Sequence, residues 1–385
     1  MDLRRYKVKD IKKGTRVLMR IEANVPVKAG KVVDGKHGRL ARVAPEIKKL
    51  AGKGAKIVLM AHFGRPKGKK DRELSLKPVA NELTKLIGKK VLLAPGIIDE
   101  PTIEQVSKMK DGSILLLENL RFDAREQKNS KRLAKALAKF GDVYINNAFG
   151  VCHRKAASTV AITKYLPSFA GNLVAEEIEE LSKPFDRPLI LLLGGIKLET
   201  KLPIIQHLGS HVDAILTGGG ISITLAAART GKAFKIGSKT VTQGEVKIAK
   251  KIIKDIEGRL HSPIDFRVDG KSLHTRELKA SDRIVDIGCE TEELYRRILI
   301  TSRSVVWNGP MGWIEETEGR KATLNIAKVL AGLDASRTIL GGGDTVAFVE
   351  SNKLAKDFNF ISTGGGAMLA FLAGEKMSGL AALQK

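Results

Sequence analysis

Cysteine, aromatic residues and long apolar runs are all scarce in this chain of 385 residues. Its two cysteines, Cys152 and Cys289, are too few for a disulfide framework or a cysteine-based zinc site. Aromatic residues make up 5% of the chain, so few rings are present on which single-stranded nucleic acid stacks. No window approaches the run of about 18 apolar residues that a membrane helix needs, and the charged start Met1–Tyr6 does not open a secretory signal. The composition therefore predicts a cytoplasmic protein with no membrane partner.

The standard fingerprints of several enzyme classes are also missing. Neither Gly-x-x-x-x-Gly-Lys-Ser/Thr nor Gly-x-Gly-x-x-Gly occurs, which argues against a P-loop and against the common dinucleotide motif. His-Glu-x-x-His and Gly-x-Ser-x-Gly are absent too, so the chain lacks these metalloprotease and serine hydrolase signatures. Any nucleotide site in this chain must be built in another way.

Acidic residues are scarce in the first half of the chain. Residues 1–170 hold about 38 basic and about 16 acidic residues, so about +22 of the net charge of +25 lies there. Such an excess suits nucleic acid or a small, highly phosphorylated ligand. Lysines at helical spacing, such as Lys131, Lys135 and Lys139, account for most of it as a solvated surface. The shortage of aromatic residues favours the small ligand, and nucleic acid binding by the basic half is kept as a less favoured alternative.

Short apolar segments alternate with segments of helical periodicity throughout. The predicted strands are 17–21, 56–60, 113–117, 143–146, 189–193, 214–217, 284–287, 304–307, 338–340 and 360–362, and the predicted helices include 42–51, 78–87, 131–139, 244–256 and 291–299. This alternation predicts parallel sheets covered by helices on both faces. About ten strands are too many for one small sheet, so we expect two α/β domains with a boundary near residues 166–168.

Two glycine triplets each follow a predicted strand and precede a predicted helix. They are Gly341–Gly343, followed by Asp344 and Thr345, and Gly364–Gly366. Glycines let a ligand approach the backbone, and the start of a helix offers free N–H groups and a partial positive charge. One such turn is often only a tight turn. Two of them, one with an Asp-Thr pair suited to a magnesium–phosphate group, predict a cradle for nucleotide phosphates.

Other strand ends also carry residues of an anion site. Gly194-Gly195 precede Lys197 and Lys201, which are four residues apart and share one face of a helix. A third triplet, Gly218–Gly220, suits the close approach of a flat base.

In the first half the strand ends are basic. Arg39, the segment His62–Arg65, Arg121 and Arg154 all follow predicted strands. Residues at the carboxyl ends of parallel strands converge on one rim, where doubly wound sheets bind their ligands.

Five stretches carry a resemblance to a known family. They are His62–Gly68, Glu118–Phe122, Trp307–Gly312, Gly341–Thr345 and Ser362–Gly366, and together they make the chain resemble the phosphoglycerate kinase family from about Arg16 to Leu383. The resemblance implies an α/β fold of two Rossmann-like three-layer domains with parallel sheets joined by a hinge helix. The implied parts are a basic domain (1–168) that binds 3-phosphoglycerate, the hinge helix (169–186), a nucleotide-binding domain (187–372), and a C-terminal segment (373–385) that packs back on the first domain.

The resemblance also implies the site residues, position by position. Substrate binding falls on Glu22, Asn24, Arg39, His62, Phe63, Gly64, Arg65, Arg121 and Arg154. Nucleotide binding falls on Gly195, Lys197, Lys201, Gly218, Gly219, Asn308, Glu315, Gly342, Gly343, Asp344 and Thr345, with Glu315 on the ribose and Asp344 on the metal. The implied catalytic residues are Arg39, Lys197, Lys201, Gly343 and Gly366.

The implied reaction is reversible phosphoryl transfer from 1,3-bisphosphoglycerate to ADP, which gives 3-phosphoglycerate and ATP with Mg²⁺ as cofactor. It would proceed in line after hinge closure, in a monomer that acts in glycolysis and gluconeogenesis. The residues agree with this reaction, because phosphoryl transfer needs positioning and charge neutralisation rather than covalent help.

Several positions depart from the family pattern. Glu22, Asn147 and Thr200 stand where Asp is usual, and Ala23 stands where Phe is usual. The changes at Glu22 and Thr200 motivate one alternative, a catalytically silent relative that keeps the fold as a binding module. None of these changes removes a cation assigned to the transferring phosphoryl group, so we expect an active enzyme.

Overall fold

The structure is a computed structural model that describes residues 2–66, 68–195, 201, 205, 207–209, 211–237, 239–256 and 258–385. It divides into two compact units. The first comprises Met1–Ser182 together with Glu375–Lys385, and the second comprises Lys183–Gly374.

The first unit is built on one parallel sheet. Its strands are β1 (Arg16–Ile21), β2 (Val27–Lys28), β3 (Lys31–Val32), β4 (Lys56–Met60), β5 (Val91–Leu93), β6 (Ile114–Leu116), β7 (Val143–Asn147) and β8 (Ser168–Ala170). Its helices are α1 (Arg39–Gly52), α2 (Lys77–Ile87), α3 (Glu100–Ser107), α4 (Lys131–Ala138) and α5 (Asn172–Ser182). The six-stranded sheet has the order β5-β6-β4-β1-β7-β8 with every pair parallel, and β2 and β3 form a small antiparallel ribbon.

The pattern of apolar residues explains these elements. In β1 the burial pattern is nearly continuous, as expected for a central strand covered on both faces. In α1 the buried residues Leu40, Val43, Ile47 and Leu50 recur at a spacing of three or four, so one stripe of the helix faces the core.

The second unit repeats this plan. Its strands are β9 (Leu189–Leu193), β10 (Ala214–Thr217), β11 (Lys235–Ile236), β12 (Lys239–Thr240), β13 (Leu260–His261), β14 (Asp265–Val268), β15 (Lys271–His274), β16 (Ile284–Ile287), β17 (Ser304–Asn308), β18 (Arg337–Gly341) and β19 (Phe360–Ser362). Its helices are α6 (Gly219–Thr230), α7 (Gln243–Asp255), α8 (Cys289–Leu299), α9 (Lys321–Ala331), α10 (Gly343–Ser351) and α11 (Gly366–Leu372). The parallel sheet has the order β13-β10-β9-β17-β18-β19, and a smaller antiparallel sheet has the order β15-β14-β16.

The core of the second unit centres on Trp307 in β17. Its side chain is fully buried, its ring centroid lies 6.4 Å from that of Phe358, and its indole N–H donates to the carbonyl of Gly309 at 2.8 Å. The same residue therefore anchors both the core and the turn that follows β17.

The two parallel sheets confirm the predicted fold class, and the bounds of β4 and β9 agree with the sequence analysis. The helix expected over 169–186 is shorter, because Ser168–Ala170 pair in parallel with Tyr144–Asn146 as β8 and α5 begins only at Asn172. The pairing of β8 with β7 makes residues 168–170 part of the first sheet.

The last residues of the chain lie in the first unit. They form a short helix, α12 (Ser378–Ala381), and bury Leu380 and Leu383 completely. The N–H of Arg4 donates to the carbonyl of Leu383 at 2.9 Å, and that of Gly379 donates to the carbonyl of Cys152 at 2.8 Å. Within the described ranges, no helix combines the length and the apolar content required to cross a bilayer.

Candidate active site

The basic residues predicted in the first unit lie at the carboxyl edge of its sheet. Glu22 follows β1, His62 follows β4, Arg121 follows β6 and Arg154 follows β7, and these four strands are neighbours in the sheet. The next strand of the sheet after β1, β4, lies on one side of it, and β7 lies on its other side. The strand order therefore reverses between β1 and β7, and sheets of this type bind ligands in the crevice beyond the carboxyl ends of two such strands.

A basic pocket lies at this edge. Its volume is about 210 Å³, and its lining includes Arg20, His62, Arg121 and Arg154. Arg20 and Arg121 are buried, and Arg154 is exposed. The pocket therefore gathers three guanidinium groups in a space suited to a small, multiply charged anion.

His62 acts in this pocket as a neutral group. Its side chain is buried, and Nη2 of Arg20 lies 2.8 Å from its Nδ1. Burial and then the nearby cations, Arg20 first, hold the pKa of His62 well below its usual value of 6.5. Since the guanidinium can only donate, Nδ1 accepts and the ring proton lies on Nε2. The imidazole thus offers one N–H donor and no charge to a ligand.

Gly64 joins two of the predicted substrate residues. Its N–H donates to Oδ1 of Asn24 at 2.9 Å, and its carbonyl accepts from Nη1 of Arg121 at 2.7 Å. It has a φ of +61°, and a Cβ at this position would lie 2.6 Å from Cδ2 of Leu74. Glycine is required here on both grounds.

Burial, and then the charge of Arg154, lower the pKa of Arg121 to about 10.

Glu22 and Arg39 face each other at the mouth of the site. Nε of Arg39 lies 3.9 Å from Oε1 of Glu22, and Nη1 of Arg39 donates to the carbonyl of Asn24. Oε2 of Glu22 is buried and has no hydrogen-bond partner among the described residues. This second oxygen is available as an acceptor for a hydroxyl group. Phe63 is held through its backbone by Asn119, and Arg65 is exposed.

Arg20, Ser158 and Glu126, which had no role predicted from the sequence, form a chain of hydrogen bonds at the pocket. Nε of Arg20 donates to Oγ of Ser158 at 3.0 Å, and that hydroxyl donates to Oε1 of the buried Glu126 at 2.6 Å. Burial raises the pKa of Glu126, against the opposing effect of Arg20. The available signal was an arginine inside the otherwise apolar strand β1, since a buried charge requires partners.

In the second unit, the predicted glycine turns lie at one edge of the sheet. The turns follow β10, β9, β17, β18 and β19, which are consecutive neighbours, and comprise residues 218–219, 194–195, 309–312, 342–343 and 363–366. Every one of these strands is parallel to its neighbours, so their carboxyl ends meet. The structure therefore brings together four turns that sequence analysis singled out separately, and the Asn308–Gly312 turn lies among them.

The last two glycine turns touch each other. Gly342 has a φ of +97° and precedes α10, and Gly365 has a φ of +42° and precedes α11. A Cβ at Gly365 would lie 3.3 Å from Cα of Gly342. The two helices, whose first residues are Gly343 and Gly366, therefore begin next to each other. Two helix N-termini that converge in this way favour bound negative charge.

A second contact of backbones lies between the turns after β10 and β17. The N–H of Gly219 donates to the carbonyl of Met311 at 2.5 Å, and a Cβ at Gly218 would lie 2.6 Å from Cα of Met311. Gly195, after β9, has a φ of +97°, and a Cβ there would meet no other atom within 4 Å. The glycines after β9 and β10 therefore leave backbone without side chains at the ends of these strands.

Lys201 and Asn308 are two polar residues beside the glycine turns. Nζ of Lys201 donates to Oδ1 of Asn308, and burial lowers the pKa of this lysine to about 8. Nδ2 of Asn308 is buried and has no partner among the described residues, and it lies 3.5 Å from where a Cβ at Gly342 would be. An orphaned buried donor beside a glycine turn indicates a ligand acceptor that belongs there. Lys197, predicted beside it, lies outside the described residues.

Three further predicted residues differ in their surroundings. Asp344 is exposed in the first turn of α10. Thr345 is buried, and its Oγ1 accepts from the N–H of Gly309 at 3.1 Å, so it ties the turn after β18 to the turn after β17. Glu315 is exposed in the loop beyond, where its carbonyl accepts from Nη2 of Arg320 at 3.3 Å.

Comparison with known proteins shows the family of the chain. A family model described as phosphoglycerate kinase matches residues 8–375. The phosphoglycerate kinase of Chelativorans sp. (strain BNC1) is 39% identical over 97% of this chain and 96% of the relative, and that of Dictyoglomus turgidum is 38% identical over the same shares. Among solved structures, phosphoglycerate kinase from Pyrococcus horikoshii OT3 superposes with a TM-score of 0.86 at 31% identity over 98% of both chains. The structure of the Coxiella burnetii phosphoglycerate kinase gives 0.74 at 30% identity over 97% of both chains.

The match spans both units and includes the basic pocket and the glycine turns. Relatives of this identity and coverage share the family and its phosphoryl-transfer activity. The chain therefore belongs to the phosphoglycerate kinase family.

Proposed function

We propose that the protein catalyses reversible phosphoryl transfer between 1,3-bisphosphoglycerate and ADP, with 3-phosphoglycerate and ATP as the products. The observation that supports this most directly is the pair of unlike anion sites, one in each unit. One is a pocket of about 210 Å³ lined by guanidinium groups, and the other is an edge of bare backbone and converging helix starts. The first suits a small organic phosphate, and the second suits the phosphates of a nucleotide.

The first unit would bind the phosphoglycerate. Arg65, Arg121 and Arg154 would neutralise its phosphate, and His62 would donate from Nε2. The unpartnered Oε2 of Glu22 would accept from the substrate hydroxyl. Arg39 would contact the carboxyl group at which transfer occurs, since it lies at the mouth with Glu22 and Asn24.

The second unit would bind the nucleotide. Gly218, Gly219 and Gly195 would face the base, and Glu315 the ribose hydroxyls. The orphaned Nδ2 of Asn308, Lys201 and the N–H groups from Gly342 to Thr345 would hold the phosphates.

Magnesium would be held at Asp344. An exposed carboxylate in the first turn of α10, beside the phosphate site, fits an ion that prefers octahedral oxygen ligands and keeps several waters and phosphate oxygens. Among the described residues no group of three metal-ligating side chains occurs, which agrees with a site completed by the nucleotide. The bound ion would neutralise charge on the phosphates.

The transfer itself needs no general base, because the acceptor oxygen of ADP or of the carboxylate is already ionised. The chain would contribute cations and N–H donors around the migrating group, namely Arg39, Lys201, Gly343 and Gly366, and by resemblance Lys197. Each ligand has its own unit, so the proposal includes a hinge movement that places them in line and excludes water from the acyl phosphate. The proposal places the enzyme in the cytoplasm as a monomer.

A coupled assay tests the proposal. Purified protein is given 3-phosphoglycerate and MgATP, with GTP in a parallel series, and 1,3-bisphosphoglycerate formation is followed through a dehydrogenase. We expect turnover by the wild type, and a loss of at least about 100-fold in Arg39→Ala and Lys201→Ala, which each remove a transition-state cation. A wild type no faster than these variants would support the silent binding module instead. Binding of RNA that persists at physiological salt would favour the nucleic acid alternative.

A further inference from the structure

A buried carboxylate in the first unit is used by neither anion site. Glu46 lies on α1, two helical turns after Arg39, and its side chain is 6% exposed. Its oxygens accept from the hydroxyl of Tyr6, from Nδ2 of Asn147 at 2.5 Å, and from the N–H of Asn172 at 3.1 and 3.3 Å. A buried carboxylate is stable only with partners of this number.

One of these partners, Asn172, belongs to the start of α5, and a second, Asn147, also contacts that helix. Asn172 is its first residue, and the N–H of the next residue, Leu173, donates to Oδ1 of Asn147 at 2.9 Å. The first N–H groups of a helix have no partner within the helix, and a carboxylate is favoured at that end. Glu46 and Asn147 therefore cap α5 as one unit, with the amide of Asn147 bridging the carboxylate and the helix.

A second link joins the same two helices one turn further along. Nη2 of Arg42 on α1 lies 2.9 Å from Oε1 of Glu176 on α5, and the side chain of Arg42 is 15% exposed. The two helices are thus held at both a cap and an ion pair. The chain passes from the end of α5 at Ser182 directly into the second unit at Lys183. Helix α1 begins with Arg39, which contacts Glu22 and Asn24.

We propose that Glu46 is a positioning residue for phosphoryl transfer, which couples the placement of α5 to that of Arg39 through the Glu46–Asn147 cap. This rests on the proposed function, because Arg39 is taken to contact the reacting group. Because α1 is held at Glu46, two turns after its start, a shift of α5 is passed along the rigid helix to Arg39, the first residue of α1. Glu46 itself touches no ligand.

Burial raises the pKa of Glu46, and the hydrogen bonds from Tyr6, Asn172 and Asn147 act in the opposite direction. The carboxylate form is the one that accepts from all of these donors. Replacement by Gln keeps the volume but removes the negative charge that faces the start of α5, and its NH₂ group takes the place of one accepting oxygen, so the cap is weakened without a cavity.

The experiment is an exchange of the carboxylate and the amide. Glu46→Gln weakens the cap by removing its charge, Asn147→Asp sets two carboxylates together, and the double variant restores one amide–carboxylate pair in the opposite order. The matched control is Asp265→Asn in the second unit, where a buried carboxylate accepts from the N–H groups of Glu290 at 3.2 Å and Thr291 at 2.8 Å at the start of α8. It loses a cap of the same kind away from Arg39.

We expect each single exchange to lower kcat about 10-fold with little change in the KM for phosphoglycerate, since small misplacements of a catalytic group cost rate steeply. The double variant should recover to within about 3-fold of the wild type, because the two positions are coupled. Asp265→Asn should lose stability and keep its kcat. Equal kcat in wild type and Glu46→Gln, or a double variant no better than the singles, would refute the coupling.

Hydrogen exchange separates this inference from the proposed function. We expect 3-phosphoglycerate to slow exchange at the Asn172 and Leu173 amides in the wild type and not in Glu46→Gln. A wild type without kinase activity would overturn the proposed function, and the exchange comparison would still decide the coupling. Identical protection in both proteins would end it.

Discussion

Lys201 gives the most specific prediction, because its pKa lies within the pH range in which the protein can be assayed. Burial lowers its pKa from 10.5 to about 8, while its Nζ donates to Oδ1 of Asn308. A shift of this size means that keeping the ammonium charged costs about 3 kcal/mol in the folded protein without ligand. Bound phosphate offsets that cost, because an opposite charge nearby raises the pKa again.

The sign of the pH dependence follows directly. With a pKa of about 8, Lys201 is about 90% charged at pH 7 and about 10% charged at pH 9 in the free protein. Above pH 8 the nucleotide must bind together with a proton, so the dissociation constant of MgADP should rise by up to about 10-fold per pH unit. Below pH 7 it should be flat as far as this lysine is concerned.

Isothermal titration of MgADP between pH 6.5 and 9.5 measures this profile. Lys201→Arg is the control, because a guanidinium remains charged over the whole range, and its binding, weaker or not, should lose the rise above pH 8. Superimposable profiles in the two proteins would show that another group titrates and that Lys201 does not meet the phosphates.

Three further outcomes follow from the structure. For His62, the lowered pKa means that its contribution to the free energy of unfolding is fully present above about pH 6.5 and is lost as pH falls below that value. Between pH 7.5 and pH 5.5, urea titrations should therefore show a larger loss of this free energy in the wild type than in His62→Gln. For Gly64, Ala adds a clash with Leu74 to the strain of a positive φ, and thermal unfolding should show a loss of about 2–3 kcal/mol against about 1 kcal/mol for Gly30→Ala, whose Cβ has open space. For Asp286, burial raises the pKa to about 8. Its contribution to the free energy of unfolding is therefore fully present below pH 3.8 and is lost as pH rises through 8, by up to about 1.4 kcal/mol per pH unit between the two values. This slope should vanish in Asp286→Asn.

The fold was predictable because its signals are local. Each strand of the two main sheets that carries a site residue is an apolar run, and a turn of glycine or basic residues follows it, as at Lys56–Met60 before His62. The short strand Val91–Leu93 was missed because three residues at the edge of a sheet carry too little pattern. The strand Ser168–Ala170 was missed for the same reason, and its last two residues were assigned to the hinge helix expected over 169–186.

The candidate site was predictable only as a set of residue types. The sequence indicates that Arg121, Asn308 and Thr345 matter, but it does not show that Thr345 accepts from Gly309 or that Asn308 keeps one donor unused. Such contacts join segments far apart in the chain, and no local pattern encodes them. The roles assigned to the individual residues stay predictions until the variants are measured.

The placement of Glu375–Lys385 bears on how the protein is made. The second unit is one continuous stretch, Lys183–Gly374, whereas the first needs residues from both sides of it. On the ribosome, Leu380 and Leu383 emerge after the whole of the second unit, yet their side chains are buried in the first unit. The earlier-synthesised unit must therefore wait, incompletely packed, while the later one is translated and becomes able to fold. We therefore expect the first unit, although it is synthesised first, to reach its full stability only after the second unit has been synthesised.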